Sequence, residues 1–133
     1  MSTLKVNNIS NTGGTKSATT DDIADGRCRA WVNFNGIGTN GTNMTIVASF
    51  NVSSVYKNGT GDYTISFTNA MSDANYLVVG GGVMDLATNS ANSQIVVNPY
   101  RNETFMTASS FRTSVTLNGG AGDYPKVYVM FFR

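Results

Sequence analysis

The stretch FNVSSVYKNGTGDYTISF, residues 50–67, decides the fold. Side chains of a β-strand alternate between two faces, and here Tyr63, Ile65 and Phe67 alternate with threonine and serine. An Asn-Gly pair precedes them, and this pair is the strongest short hairpin signal because both residues tolerate positive φ. The stretch therefore predicts a β-hairpin that turns at Asn58-Gly59 and buries one face.

The same alternation continues through most of the chain. On the first strand of the hairpin, Phe50, Val52 and Ser54 share one face. Asn, Gly, Ser and Asp bound further segments of this kind, and we predict strands at residues 30–35, 45–56, 62–68, 75–83, 93–100, 105–117 and 126–133. No segment between them has the length and 3.6-residue period of a crossover helix. The predicted fold class is all-β: an antiparallel β-sandwich or jelly-roll-like head.

Composition excludes several classes of function. The 133 residues carry a net charge of +1 with their basic residues dispersed, whereas nucleic-acid binding needs a clustered basic surface. No run of about 18 apolar residues predicts a membrane span, and the first residues lack the apolar core of a signal peptide. We therefore expect no nucleic-acid partner, no membrane insertion and synthesis in a cytoplasm.

The residues of common catalytic sites are scarce. Without histidine, Ser-His-Asp triads and His-ligated metals are excluded, and the single Cys28 cannot form a thiolate metal site alone. Cys28 is expected to be a half-buried structural residue, with a reactive thiol between two arginines as the alternative. Residues 80–82 are three glycines without the Lys-Ser/Thr of a phosphate loop, and they indicate a bulge or a close backbone approach. We predict no enzyme activity, metal or cofactor.

Residues 1–27 differ from the rest and are interpreted as an N-terminal arm, with the β head at residues 28–133. The candidate attachment residues of this arm, which is otherwise polar and rich in Gly, Ser, Thr and Asn, are its few large apolar side chains, Leu4, Val6 and Ile9. Such a segment buries too little apolar surface to order alone, so another molecule is expected to order it. Residues 19–26 carry a Thr cap, acidic residues and a final Gly, which predict one short helix.

The last strand is apolar on both faces. Val127, Val129 and Phe131 form one face, and the other consists of Tyr128, Met130 and Phe132. A sandwich strand usually buries only one face in its own core. The second face is covered by another part of the chain or, as we favour, by a neighbouring subunit.

Residues 54–63 and residues 114–124 have similar sequences. Each copy leads from a strand through Asn-Gly to Asp-Tyr and another strand. Cation ligation by Asp62 and Asp123 is disfavoured, because neither loop has the alternating oxygen ligands of a calcium loop. The similarity is explained by two hairpins that use the same turn residues independently, or by two related halves of one sandwich.

Carbohydrate binding is a further hypothesis, since aromatic rings stack on sugars and amides bind hydroxyl groups. The candidate glycan contacts are Tyr100, Asn89 and Asn92, the last two in the loop at residues 88–92. Trp31 is another candidate, although we favour a core position for it.

Several strings resemble a known family. These strings are AWVNFNG at 30–36, ASFNVSSV at 48–55, NGTGDY at 58–63 and ANY at 74–76. They are similar to the module at the distal ends of many tailed-bacteriophage tail fibres, notably of marine and cyanobacterial phages. The opening STLKV at 2–6 also resembles the starts of phage fibre and virion-attached proteins.

The resemblance implies a virion structural protein, a homotrimer with a β-rich head, whose N-terminal segment binds other virion structural proteins. The family supplies no catalytic residues. The chain lacks the long shaft of a tail fibre, so it is interpreted as a short tail fibre or appendage that contributes to host-surface contact. Two alternatives stay open: a capsid decoration or head-fibre protein without a receptor role, and a glycan-binding receptor-recognition module.

Overall fold

A computed structural model describes residues 6–14, 17–19, 27–83, 95–99 and 105–133. These residues form antiparallel strands and contain no α-helix. The strands are β1 Asn8–Ser10, β2 Ser17–Thr19, β3 Cys28–Phe34, β4 Ile46–Phe50, β5 Val52–Gly59, β6 Asp62–Phe67, β7 Leu77–Val83, β8 Ile95–Pro99, β9 Ser110–Leu117, β10 Gly120–Ala121 and β11 Lys126–Phe132. The all-β, antiparallel fold class is therefore confirmed.

Two sheets form the head. One has four strands in the order β4–β3–β11–β7, and the other runs β10–β9–β6–β5 with β8 also paired to β9. β1 and β2 pair separately with each other. Because β3 pairs with β11, the first and last long strands of the head lie side by side in the middle of the four-stranded sheet.

The core lies between these two sheets. Alternate residues of β3 and β11 face residues of β5, β6 and β9, and the buried hydrophobic side chains of these five strands are Ala30, Val32, Phe34, Val52, Val55, Tyr63, Ile65, Phe67, Phe111, Val115, Val127, Val129 and Phe131. Aromatic rings link the sheets edge to face. The ring centroids of Phe67 and Phe131 lie 4.9 Å apart, and those of Phe34 and Tyr63 lie 5.1 Å apart.

The hairpin of β5 and β6 forms as predicted, with Tyr63, Ile65 and Phe67 all buried. Its turn is displaced from the predicted position. Asn58 and Gly59 still belong to β5, and the chain reverses at Thr60 and Gly61, where Gly61 has a φ of 65°. A Cβ on Gly61 would lie 2.6 Å from the carbonyl oxygen of Val115, so the packing also requires glycine there.

The prediction of one strand at residues 45–56 is wrong, because this segment belongs to two strands, β4 and β5. Asn51 has a φ of 55°, a conformation that Asn adopts more readily than most residues, and the chain passes there from one sheet to the other. Phe50 therefore does not share a face with Val52 and Ser54. A register shift between Val52 and Ser54 places Val55, rather than Ser54, in the core.

Other boundaries differ by a few residues. The strand expected at residues 105–117 begins at Ser110, because Thr107 makes a turn in which its hydroxyl accepts the Ser110 N–H. The glycines of β7 produce a close approach and not a bulge, since the pairing of β7 with β11 is continuous. A Cβ on Gly80 would lie 2.8 Å from the Cβ of Val97 in the opposite sheet.

Predictions for the arm fall only partly within the described residues. Of the short helix predicted at residues 19–26, only Thr19 is described, and it is the last residue of β2; residues 20–26 lie outside the described part. Leu4 also lies outside it. Val6 and Ile9 are exposed, with Ile9 in β1.

Candidate functional site

The outer face of the four-stranded sheet, meaning the face turned away from the core, carries an unbroken apolar row. The register places Trp31 beside both Phe50 and Met130, and Met130 beside Val79. The row crosses all four strands. Phe50 is 56% exposed, Val79 45% and Met130 41%, so much of this apolar surface faces solvent.

Flanking rows extend this outer face. On one side, Tyr128 is 37% exposed and lies between Asn33 and Gly81. On the other, half-buried Phe132 lies beside exposed Leu77. Contiguous apolar patches of this kind mark interaction sites on soluble proteins.

The outer surface of the other sheet is polar in its central strands. Thr64 and Ser66 of β6 lie beside Arg112 and Ser110 of β9. Arg112 donates from Nε and Nη2 to the two oxygens of Asp62, over 2.9 and 2.6 Å. The charge of Arg112 is therefore neutralised by a residue of the same chain. The apolar row lies on the other sheet, which contains β11.

One polar atom interrupts the apolar outer face. The Oδ1 atom of Asn33 is shielded from solvent and has no hydrogen-bond partner among the described residues. Its strand neighbours on the face are Ala48 and Tyr128. A buried polar atom without a hydrogen bond costs free energy, so the Oδ1 atom of Asn33 lowers the stability of the isolated head.

A polar network holds the loop before β11 against the β5–β6 hairpin. The Lys57 ammonium, 2% exposed, donates to Asp123 Oδ2 over 2.5 Å and to the carbonyl of Gly38 over 2.7 Å. The other Asp123 oxygen accepts the Gly61 N–H over 2.9 Å and the Tyr63 hydroxyl over 2.7 Å. Three groups that lie 60 to 66 positions from Asp123 in the sequence are thus fixed around one carboxylate.

The network shifts the pKa values of its members. Burial alone would raise the pKa of Asp123, but the hydrogen bonds from Lys57, Gly61 and Tyr63 outweigh it and lower that pKa. Burial, together with the hydrogen bond to Asp123, strongly raises the pKa of the Tyr63 phenol. The Asp123 carboxylate therefore stays ionised and the Tyr63 phenol neutral at physiological pH, as a structural network requires.

A cavity of about 500 Å³ lies at the corner where the chain passes from β4 to β5. Its lining residues come from the start of β3, the β4–β5 corner and the segment after β6: Arg27, Cys28, Arg29, Phe50, Asn51, Thr68, Asn69, Ala70 and Met71. Phe50 belongs to both the cavity and the outer face.

The structure separates the sequence-predicted site residues into three groups. Tyr128 and Met130 lie exposed on the outer face, and Phe132 is half-buried beside them. Trp31 is not a core residue as favoured, because the parity of β3 directs Ala30 and Val32 inward and places Trp31 on the outer face. Tyr100, Asn89 and Asn92 lie outside the described residues.

Comparison with family models, with curated proteins and with solved structures finds no match for this chain. Within the described ranges, no three His, Cys, Asp or Glu residues group as a metal site would require. The same ranges contain no helix long and apolar enough to cross a membrane.

Sequence reasoning missed the buried Lys57 and the cavity. Lys57 shares its strand parity with Val55, and this was a usable signal that its side chain points inward. Its pairing with Asp123 had no local signal, since 66 positions separate the two residues. Half-buried Cys28 was anticipated, and its thiol donates to the Ala30 carbonyl over 3.1 Å.

Proposed function

We propose that this chain is a structural protein of a tailed-phage virion, a short tail-fibre or appendage subunit that contributes to host-surface contact. In this proposal the head forms a homotrimer through the outer face of the β11 sheet, and residues 1–27 bind other virion proteins. The single observation that carries the assembly is the apolar row Phe50, Trp31, Met130 and Val79. The virion role and the threefold state rest on the resemblance of the sequence strings described above.

The energetics suit such an assembly. Burying a large apolar side chain completely stabilises by about 1.5–3 kcal/mol, and partly exposed ones retain about half of this. The outer face offers roughly seven such side chains, which is comparable with the roughly 4–15 kcal/mol that association costs. The face alone therefore supports weak association, and contacts of the arm add to it in the intact chain.

The test alters the centre of the row and a matched position on the opposite surface. Met130→Lys places a charge in the middle of the proposed contact, while Ser66→Lys places the same charge on the central strand of the polar surface. We expect trimers of the wild type and of Ser66→Lys by light scattering at micromolar concentration, and monomers of Met130→Lys. A monomeric wild type, or a trimeric Met130→Lys that retains its thermal stability, would refute the proposal.

Position on the particle decides between the proposed role and simple decoration. A map of the virion should show copies at a tail tip or fibre. Copies spread over the capsid surface would favour a decoration protein without a receptor role.

A further inference from the structure

The cavity at the β4–β5 corner has an unusual charge pattern. Arg27 and Arg29 both line it, and none of the described acidic residues does. The three ion pairs found in the described part of the chain join other residues: Lys57 with Asp123, Arg112 with Asp62, and Arg133 with Asp73. The two cavity arginines therefore contribute positive charge that the surrounding described residues do not neutralise.

Guanidinium groups suit one class of ligand in particular. Their planar fork of N–H donors matches the oxygens of a carboxylate or phosphate, and such charge-assisted hydrogen bonds are stronger than neutral ones. Two arginines separated by one residue, at the mouth of a concave site, favour an oxyanion over a neutral ligand.

The wall of the cavity is held in place before any ligand arrives. The Asn51 amide donates to the carbonyls of Arg29 and Asn69 over 3.1 and 3.0 Å, and its oxygen accepts the Asn69 N–H over 2.8 Å. The Thr68 N–H donates to the Asn51 carbonyl over 3.2 Å. These bonds tie the start of β3, the sheet-to-sheet corner and the segment after β6 together, so ligand binding needs little ordering of the backbone.

The uncharged lining adds hydrogen-bonding groups. Thr68 and Asn69 are exposed and offer polar groups for the hydroxyls of a ligand. A volume of about 500 Å³ accommodates a small molecule of the size of one or two sugar units.

We propose that this cavity binds a small hydroxylated organic anion. Arg27 and Arg29 hold its carboxylate or phosphate group, and Thr68 and Asn69 bind its hydroxyls. The site deepens the host-contact part of the proposed function and rests on that function only for its biological setting. Its lining residues are not those that the sequence predicted as glycan contacts, Tyr100, Asn89 and Asn92.

Calorimetric titration with three probes tests the inference on the intact protein. D-glucuronate carries a carboxylate, glycerol 3-phosphate carries a phosphate, and D-glucose is neutral. We expect at least one anion to bind tenfold or more tightly than glucose, and the tighter of the two identifies the oxyanion. Failure of both anions to bind, or equal binding of glucose, would overturn the inference.

Charge-matched variants locate the binding. Arg27→Gln and Arg29→Gln should each weaken anion binding about tenfold. Lys126→Gln is the control, because it removes the same charge at the start of β11, whereas the cavity residue Cys28 pairs with Phe132 at the end of that strand. It should change the affinity for the anion less than twofold. Thermal unfolding of each variant checks that the head is folded. Unchanged affinity in both arginine variants would show that the cavity is not the site.

Light scattering on the same samples separates this inference from the assembly proposal. A monomeric wild type that binds the anion in an arginine-dependent manner would refute the trimer and support the cavity site. A trimer that binds neither anion would support the assembly and refute the cavity site.

Discussion

At the scale of single residues, one carboxylate in the short loop between β10 and β11 stabilises the head. Asp123 accepts from Lys57, Gly61 and Tyr63, and it thereby connects the loop before the last strand to the central hairpin. The Lys57 ammonium is almost fully buried, and the Asp123 carboxylate compensates its positive charge. Removing that partner leaves a buried charge without compensation.

Asp123→Asn should lower the free energy of unfolding by about 3 kcal/mol, the usual cost of breaking a buried ion pair from one side. Urea unfolding measures it as a lower midpoint at constant slope. Asp73→Asn is the control, because Asp73 pairs with Arg133 at the exposed surface and should change the midpoint little. Equal effects of the two substitutions would show that burial of Lys57 does not matter.

The same carboxylate predicts a dependence on pH. Because the pKa of Asp123 is lowered in the folded state, its contribution is complete above the unfolded value of about 4 and is lost as the pH falls through the folded value. The stability difference between wild type and Asp123→Asn should therefore shrink on acidification below about pH 4. Urea unfolding at a series of pH values checks this, and a difference that is constant down to pH 2 would contradict it.

Only part of this network could be predicted from the sequence. Alternation with Val55 places Lys57 on the inward face of β5. Nothing local indicates that its counter-ion is Asp123, because the pairing depends on how the loop before β11 crosses the hairpin. Long-range ion pairs follow from the order of the strands, which residue patterns alone do not determine.

At the scale of elements, turns and close approaches depend on a few backbone positions. The hairpin was predictable because two runs of alternating residues flank a glycine-rich segment. The break between β4 and β5 was not, because Asn51 within a polar and apolar alternation resembles an ordinary strand residue. Its left-handed conformation and its amide hydrogen bonds turn the strand from one sheet into the other.

Gly80→Ala should destabilise the head by about 1–3 kcal/mol through overpacking. Its Cβ would lie 2.7 Å from the carbonyl oxygen of Tyr128 and 2.8 Å from the Cβ of Val97, so β7 and β8 would have to separate. Gly120→Ala is the matched control in β10, since its Cβ would meet only the Leu117 carbonyl oxygen at an ordinary 3.6 Å. Thermal unfolding of both variants provides the measurement, and equal melting temperatures would contradict the close approach.

At the scale of the whole molecule, the two outer surfaces of the sandwich differ in character. The apolar second face of β11 was visible in the sequence, and Tyr128 and Met130 are exposed there. The continuous row with Trp31 and Phe50 was not visible, because it requires β3 and β4 to lie beside β11 in this register. The cavity likewise depends on three segments that meet only in the folded chain.

Deletion of residues 1–27 should leave a folded head that no longer joins virus particles. Every hydrophobic core residue in the described part of the chain follows position 29, so we expect the melting temperature of the head to fall by only a few degrees. In the proposed assembly, trimers of the truncated protein should dissociate at a higher protein concentration than trimers of the full chain, since the proposed contacts of the arm are lost. Thermal unfolding and particle purification test this, and normal incorporation of the truncated protein would refute the role of the arm.

The central pairing of β3 with β11 also governs when the head can form during synthesis. These strands are roughly a hundred residues apart in the chain, so their pairing is a non-local step of the kind that slows folding. β11 must leave the ribosome before the four-stranded sheet closes. The apolar row, which needs β11 between β3 and β7, is therefore incomplete on a nascent chain that lacks β11. In the proposed assembly, subunits associate through this row only after β11 has been synthesised, which protects shorter nascent chains from premature assembly.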